Sequence, residues 1–162
     1  MKEIISVLVE NQAGVLNKIT GLFARRGFNI DSLAVGVTED KTVSRITMIA
    51  DSGNSVSEQM EKQLNKLVPV IKVRSFDEKE ITAKELALIK VSANNRTRGE
   101  IRDIVDIMGT KIVDISTSTV TIEICDSPER IELLQEMMRP FGIKEVARTG
   151  IIALQKGSKF IE

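Results

Sequence analysis

The stretch from Asn11 to Leu16 carries the residue types whose chemistry is easiest to name. A run that alternates like a strand precedes it, and a run with helical spacing follows it. A turn of this kind presents free backbone N–H groups at a helix start, which suits a small anion such as a carboxylate. We therefore predict that Gly14, Val15 and Leu16 donate backbone N–H groups to the carboxylate of an amino-acid effector.

Two further features of the turn extend this prediction. The amide of Asn11 has both donors and an acceptor, so it can hold the ammonium group of the effector or contact another chain. The missing side chain at Gly14 lets a ligand approach the backbone closely. The alternative is an ordinary strand-to-helix turn, with Asn as the cap and Gly for backbone freedom, and spacing alone leaves both interpretations open.

Asn29 and Ile30 are the candidates for the second side of this site. They follow Gly27, which is a typical residue at a helix C-terminus, and they begin a strand. We predict that they lie beside the Asn11–Leu16 turn of a paired subunit, since a dimer can bring these ends together. The simpler interpretation, a helix end followed by a strand, also fits the spacing.

The composition argues against catalysis by this chain. Its 162 residues include no His, Trp or Tyr and one cysteine, Cys125. Without His, the commonest general base and the commonest metal ligand are missing. A single cysteine excludes an intrachain disulfide and a zinc site built from cysteines. We predict no catalytic residue and no metal site, and we interpret Cys125 as a small, partly buried residue rather than a reactive thiol.

The charge and hydropathy patterns favour a cytoplasmic protein. Lys+Arg and Asp+Glu both number 23, so the net charge of zero offers no general attraction to nucleic acid or to an anionic membrane. No apolar run approaches the ~20 residues of a membrane helix. The N-terminal residues lead directly into strand-like sequence, without a secretion signal. We predict that the chain binds neither nucleic acid nor membrane.

The first half of the chain has the element order β-α-β-β-α-β. Strands alternate apolar and polar residues, and the helices repeat apolar residues every three or four positions. The segment Ser55–Glu58 has the spacing of a capping box. The predicted elements are strand Ile4–Val9, helix Val15–Arg26, strands Asn29–Val37 and Val43–Ala50, a helix from Ser55 that ends before Pro69, and strand Val70–Phe76.

The second half repeats this order, so we predict an α+β protein of two ferredoxin-like units. Thr97 and Glu100 have capping-box spacing, and Gly109 ends the helix. The charged segment after Phe76 marks a boundary between domains 1–77 and 78–162. Units of about 80 residues have thin cores, and each sheet is expected to have an open face and open edges, which favours a homodimer or a larger assembly. The predicted elements are strand Leu86–Ala93, helix Thr97–Met108, strands Lys111–Ser116 and Val120–Ile124, helix Ser127–Met138 and strand Val146–Leu154.

These segments resemble a known family. Residues 6–16, 22–36 and 44–47 are similar to an ACT domain, and more narrowly to the regulatory (small) subunit of acetolactate synthase. Residues 85–91 and 140–150 are similar to the C-terminal domain of that family, and the segment Ala147-Arg148-Thr149-Gly150 makes the resemblance specific. Ala13 occupies a position where many relatives have proline, which leaves the turn less rigid without abolishing binding.

The resemblance implies a non-catalytic regulatory subunit with an N-terminal ACT domain. Such subunits activate the catalytic subunit and confer feedback inhibition by valine or another branched-chain amino acid. The cofactors implied are thiamine diphosphate, Mg²⁺ and FAD, all in the catalytic partner and none in this chain. The effector is expected between two paired ACT domains, with Asn11, Gly14, Val15 and Leu16 on one side and Asn29 and Ile30 on the other.

Two other functional classes remain as alternatives. A free-standing amino-acid sensor that controls transcription is disfavoured by the neutral charge and by the lack of a DNA-reading helix. An enzyme in its own right is disfavoured because no nucleophile and base cluster in the sequence. The charged hairpin from Thr38 to Arg45 is a candidate contact for the catalytic subunit, and a plain solvated hairpin fits it equally well.

Overall fold

The computed structural model describes residues 2–51 and 57–161. The chain forms two compact units, Met1–Ala83 with Gly150–Glu162, and Lys84–Thr149. The sequence-based boundary at residue 77 assigned every later residue to the second domain. The coordinates differ, because the apolar residues after Gly150 pack within the first unit.

The first unit contains an antiparallel sheet with the strand order β2-β3-β1-β4, which confirms the predicted ferredoxin-like topology. The predicted cap that begins at Ser55 lies outside the described residues. After α2, Leu67 lies in a turn before the fourth strand. The elements are β1 (Lys2–Glu10), α1 (Val15–Arg26), β2 (Asn29–Val37), β3 (Val43–Asp51), α2 (Ser57–Leu64) and β4 (Val70–Phe76).

Alternation along β1 explains how this sheet meets its helices. Ile5, Val7 and Val9 point to one face, where they pack with Ile19 and Phe23 of α1. α1 ends at Gly27, whose φ of 70° allows the left-handed conformation that closes a helix. α1 therefore starts just beyond the C-terminal end of β1, at one end of the strands of this sheet.

The other face of this sheet is also covered, although the sequence predicted an open face. Ile4 of β1 packs with Ile81, Ile151 and Ala153 in a separate apolar cluster. Ala153 belongs to a short strand, β9 (Ile152–Gln155), near the end of the chain. Residues far apart in the sequence thus supply the cover for the second face.

The second unit has the same topology, with the strand order β6-β7-β5-β8. A short 3-10 turn at Glu78–Glu80 precedes β5, which begins within the first unit and with which β9 also pairs. The elements are β5 (Ile81–Ser92), α3 (Arg98–Met108), β6 (Lys111–Ile115), β7 (Thr119–Asp126), α4 (Pro128–Met138) and β8 (Ile143–Arg148).

The predicted single strand Val146–Leu154 is wrong. It is two strands, β8 and β9, that are interrupted at Gly150. Gly150 has a φ of 83°, and a Cβ there would lie 2.9 Å from Ser32 Oγ and 3.0 Å from the Leu33 carbonyl oxygen. Apolar alternation continues through the break, so periodicity alone does not reveal it.

Candidate functional site

Asn11 connects the β1–α1 turn to the β2–β3 hairpin by two hydrogen bonds. Its backbone N–H donates to the Thr42 carbonyl at 2.7 Å, and its side-chain Nδ2 donates to the Lys41 carbonyl at 2.9 Å. Both bonds hold the turn beside the β2–β3 connection. The amide nitrogen is therefore used within the chain, whereas the side-chain oxygen Oδ1 forms no hydrogen bond with the described residues.

The helix start itself is open. Gly14 has a φ of 82°, and no atom lies within 4 Å of the position that a Cβ would take. The Val15 N–H makes only a long bond of 3.4 Å to the Gln12 carbonyl. Within the described residues, the N–H groups of Gly14 and Leu16 donate to no acceptor. These donors lie at the positive end of the α1 dipole, and the first turn of α1 contains no acidic residue.

The six predicted effector-binding residues do not meet within one chain. Asn29 begins β2 and is paired with Asp51, which also pairs with Lys2 at the start of β1. The Asn11–Leu16 turn follows the other end of β1. At 3.2–3.4 Å per residue, a nine-residue strand separates these ends by roughly 30 Å.

Asn29 and Ile30 lie on β2, the outermost strand on one side of the sheet. β2 is an edge strand, and within the described residues it pairs only with β3. Its residues Val35 and Val37 are 49% and 55% exposed. Asn29 itself is exposed, and its Nδ2 donates to the Asp31 carboxylate at 2.5 Å. The second half of the predicted site therefore lies on an edge strand of the sheet.

The corresponding turn of the second unit is closed by its own side chain. Asn94 Oδ1 accepts the N–H groups of Arg96 at 2.9 Å and Thr97 at 3.0 Å. The Asn94 N–H donates in return to Thr97 Oγ1 at 3.0 Å. The predicted capping box at Thr97 does not form. Thr97 Oγ1 instead accepts the Asn94 N–H, and the Thr97 N–H donates to the Asn94 side chain.

The segment Ala147-Arg148-Thr149-Gly150 has a structural role that spacing did not indicate. Arg148 forms a bidentate pair with the buried Glu85, at 2.9 Å from Nε to Oε1 and 2.6 Å from Nη2 to Oε2. This hydrogen bonding raises the pKa of Arg148 above its usual value. Thr149 Oγ1 accepts the N–H of Leu86 at 3.1 Å. Buried and exposed residues alternate along β5, and Glu85 occupies one of the buried positions. An acidic residue at a position where the alternation predicts an apolar one is the sequence signal for this pair.

Other candidate chemistry is sparse in the described part of the chain. There, no group of three His, Cys, Asp or Glu side chains is placed to hold a metal ion. Among the same residues, no helix has the length and apolar character needed to cross a bilayer. Cys125 was predicted to be partly buried, but it is exposed, since it points away from the helices on β7.

Comparison with known proteins first defines the class. Residues 5–72 match the family model described as the AHAS small subunit-like ACT domain, so the first unit carries an ACT domain. Residues 84–157 match the model described as the small subunit of acetolactate synthase.

Similar proteins then define the family. The acetolactate synthase small subunit of Mycolicibacterium smegmatis is 46% identical over 97% of this chain and 92% of its own length. That of Bacillus subtilis is 44% identical over 98% of this chain and 93% of its own length. The crystal structure of the Thermotoga maritima small subunit matches with a TM-score of 0.90 and 37% identity, over 98% of this chain and 99% of that chain. The chain belongs to the acetolactate synthase small subunit family, which is a family of regulatory subunits.

Proposed function

We propose that this chain activates the catalytic subunit of acetolactate synthase and makes it sensitive to feedback inhibition by valine or another branched-chain amino acid. The observation that carries the proposal is the open helix start at the exposed residues Gly14 and Leu16, where two N–H groups have no acceptor among the described residues. An amino acid brings a carboxylate to these donors, and its ammonium group can reach the free Oδ1 of Asn11.

The edge position of β2 in its sheet supports a homodimer that completes this site. Two copies that pair antiparallel through β2 point their strands in opposite directions. The Asn29 end of one β2 then lies at the end of the joined sheet where the partner has its Asn11–Leu16 turn. Asn29 and Ile30 thereby become the second side of the effector site, which resolves their separation within one chain.

The mechanism follows from an effector that contacts both protomers. Such a ligand favours the dimer arrangement in which both halves of the site are close, and so it changes how the subunit binds the enzyme. Couplings of this kind are typically about 1–3 kcal/mol, which corresponds to changes of roughly 5- to 150-fold in affinity. Thiamine diphosphate, Mg²⁺ and FAD belong to the catalytic partner in this proposal. The subunit acts in the cytoplasm without nucleic acid or membrane.

Reconstitution tests the proposal. The purified chain is added to its catalytic subunit, and acetolactate formation is measured with and without valine, leucine or isoleucine. We expect the rate to rise on addition of the chain and to fall again when the effector is added. If the chain changes neither the rate nor the amino-acid sensitivity of the enzyme, the proposed function is wrong.

A further inference from the structure

A cavity of about 360 Å³ lies on the face of the first-unit sheet opposite α1 and α2. Arg45 of β3 and Phe76 of β4 contribute to it from the sheet, and Leu154 of β9 and residues 157–161 contribute from the end of the chain. Small-molecule sites commonly measure about 300–1,000 Å³. None of the predicted effector-binding residues lines this cavity, so it is distinct from the β1–α1 turn.

The described lining of the cavity is cationic. Arg45 and Lys159 belong to it, and no acidic side chain of the described residues does. Lys72 adds to the positive potential, because Leu8 pairs with Arg45 on one side and with Lys72 on the other, which places both on the same face of the sheet. Among the described residues, none of these three cations forms an ion pair with a carboxylate.

Arg45 is held in place by a neutral partner. Its Nη1 donates to Ser6 Oγ at 3.3 Å, and Ser6 is fully buried in the sheet. The guanidinium is partly buried and keeps further donors available in its planar fork. Arginine in such a setting matches the two oxygens of a carboxylate, and partial removal from water strengthens the attraction.

The rest of the lining is largely apolar. Ile161 is buried and Phe76 is partly buried, whereas Leu154 and Phe160 are 59% and 65% exposed. An apolar ligand group would cover the last two side chains and gain the free energy of burying their surface. The lining therefore combines anion recognition with contact to an apolar body, and its described residues offer no carboxylate to an ammonium group.

We propose that this cavity binds a small organic carboxylate that has a branched or aromatic apolar body and no charged amine. The described lining residues include two cations and no acid, which separates this ligand class from the amino-acid effector of the β1–α1 turn. A bound carboxylate would bridge the sheet and the end of the chain, and so it would hold β9 and residues 157–161 in place.

The test uses the full chain labelled with ¹⁵N and three probes that share one carbon skeleton. The probes are 4-methylpentanoate, 4-methylpentan-1-ol and 4-methylpentylamine, which are anionic, neutral and cationic at pH 7. We expect saturable shifts of the backbone amides of residues 154–161 with the carboxylate only, together with slower hydrogen exchange of the β9 amides. No saturable shift with the carboxylate, or equal affinity for the amine or the alcohol, would overturn the proposal.

Variants that remove one positive charge each provide a second test of the cavity proposal. Arg45→Gln is expected to weaken carboxylate binding by about tenfold or more, since a hydrogen bond to a charged group is lost. Lys159→Gln, at an exposed position, is expected to give a smaller loss and does not endanger folding. Lys144→Gln removes the same charge from an exposed position on β8 and is expected to change nothing. Unchanged affinity in both the Arg45 and the Lys159 variant contradicts the proposal.

Discussion

The first helix of each unit begins in a different way, although the two units have the same strand order. In the second unit, Asn94 bends back and accepts two N–H groups of the turn before α3. In the first unit, Asn11 reaches away to Lys41, and the helix start at Gly14 is left open. The same topology thus yields one turn that closes on itself and one that can accept a ligand.

A side chain also bonds to the turn before α4, the second helix of the second unit. Asp126 Oδ1 accepts the N–H of Ser127 at 2.9 Å, just before Pro128 begins α4. The same carboxylate contacts Lys84 at 2.7 Å and Arg130 at 2.5 Å. Side chains of the second unit therefore bond to the turns that lead into both of its helices. This division favours an effector site in the first unit and a supporting role for the second.

Gly14→Asp has the largest expected effect, because it places a carboxylate beside the proposed carboxylate site. We expect valine affinity to fall by about 100-fold or more, since like charges in contact cost several kcal/mol. Activation of the catalytic subunit should persist. Titration calorimetry measures the binding, as the chain has no Trp for fluorescence.

Gly14→Asn is the matched control for this variant. It adds a side chain of nearly the same shape at the same φ of 82°, and asparagine tolerates this conformation better than most residues. We expect a loss of a few-fold at most. Unchanged valine affinity in Gly14→Asp would refute the site, and an equal loss in both variants would assign the effect to backbone strain.

Asn94→Ala should cost stability rather than effector response. It removes the acceptor of two N–H groups in the turn that leads into α3, and losing a side-chain acceptor of this kind costs about 1–2 kcal/mol, as for a helix cap. Urea unfolding followed by far-UV circular dichroism gives the change in the free energy of unfolding. If Asn94→Ala abolished the valine response of a chain that remains folded, the assignment of effector binding to the first unit alone would be contradicted.

The smallest effect concerns acid sensitivity at Asp126. Hydrogen bonds from Lys84 and from the Ser127 N–H hold its pKa below the usual value of 3.8. The stabilisation is thus fully present above pH 3.8 and is lost as the pH falls through the lowered pKa of the folded state. Because this carboxylate is close to solvent, we expect about 1 kcal/mol or less.

Asp126→Asn provides the comparison for this measurement. The difference in unfolding free energy between wild type and variant should be seen at pH 6 and should shrink toward pH 2, where both side chains are neutral. A difference that stays constant over this range would show that the charge of Asp126 is not its cause.

Much of the fold could be predicted from local pattern. Alternation along Ile5, Val7 and Val9, and the glycines that follow α1 and α3, located the strands and the helix ends within a few residues. These signals act between neighbours in the chain, so they are visible in the sequence. Gly150 shows the limit, since the break that it makes in the last strand depends on contact with Ser32 and Leu33, more than 100 residues earlier.

The candidate site was predictable only in part. Spacing identified the turn at Asn11–Leu16 as a helix start, but the same reasoning assigned a capping box to Thr97 that the structure replaces with Asn94. Both turns contain asparagine, and the sequence does not tell whether its amide bonds to its own turn or to a neighbouring loop. The choice depends on how closely the hairpin at Lys41 approaches.

The sequence by itself determined the two βαββαβ units and the turn that begins α1, because hydrophobic periodicity and helix-terminal residues act locally. The tertiary structure alone decided that the end of the chain covers the first sheet and that Arg45 lies in a cationic cavity. It also placed Asn29 and Asn11 at opposite ends of one sheet. Those relations depend on strand register and on contacts between distant segments, which no local pattern encodes.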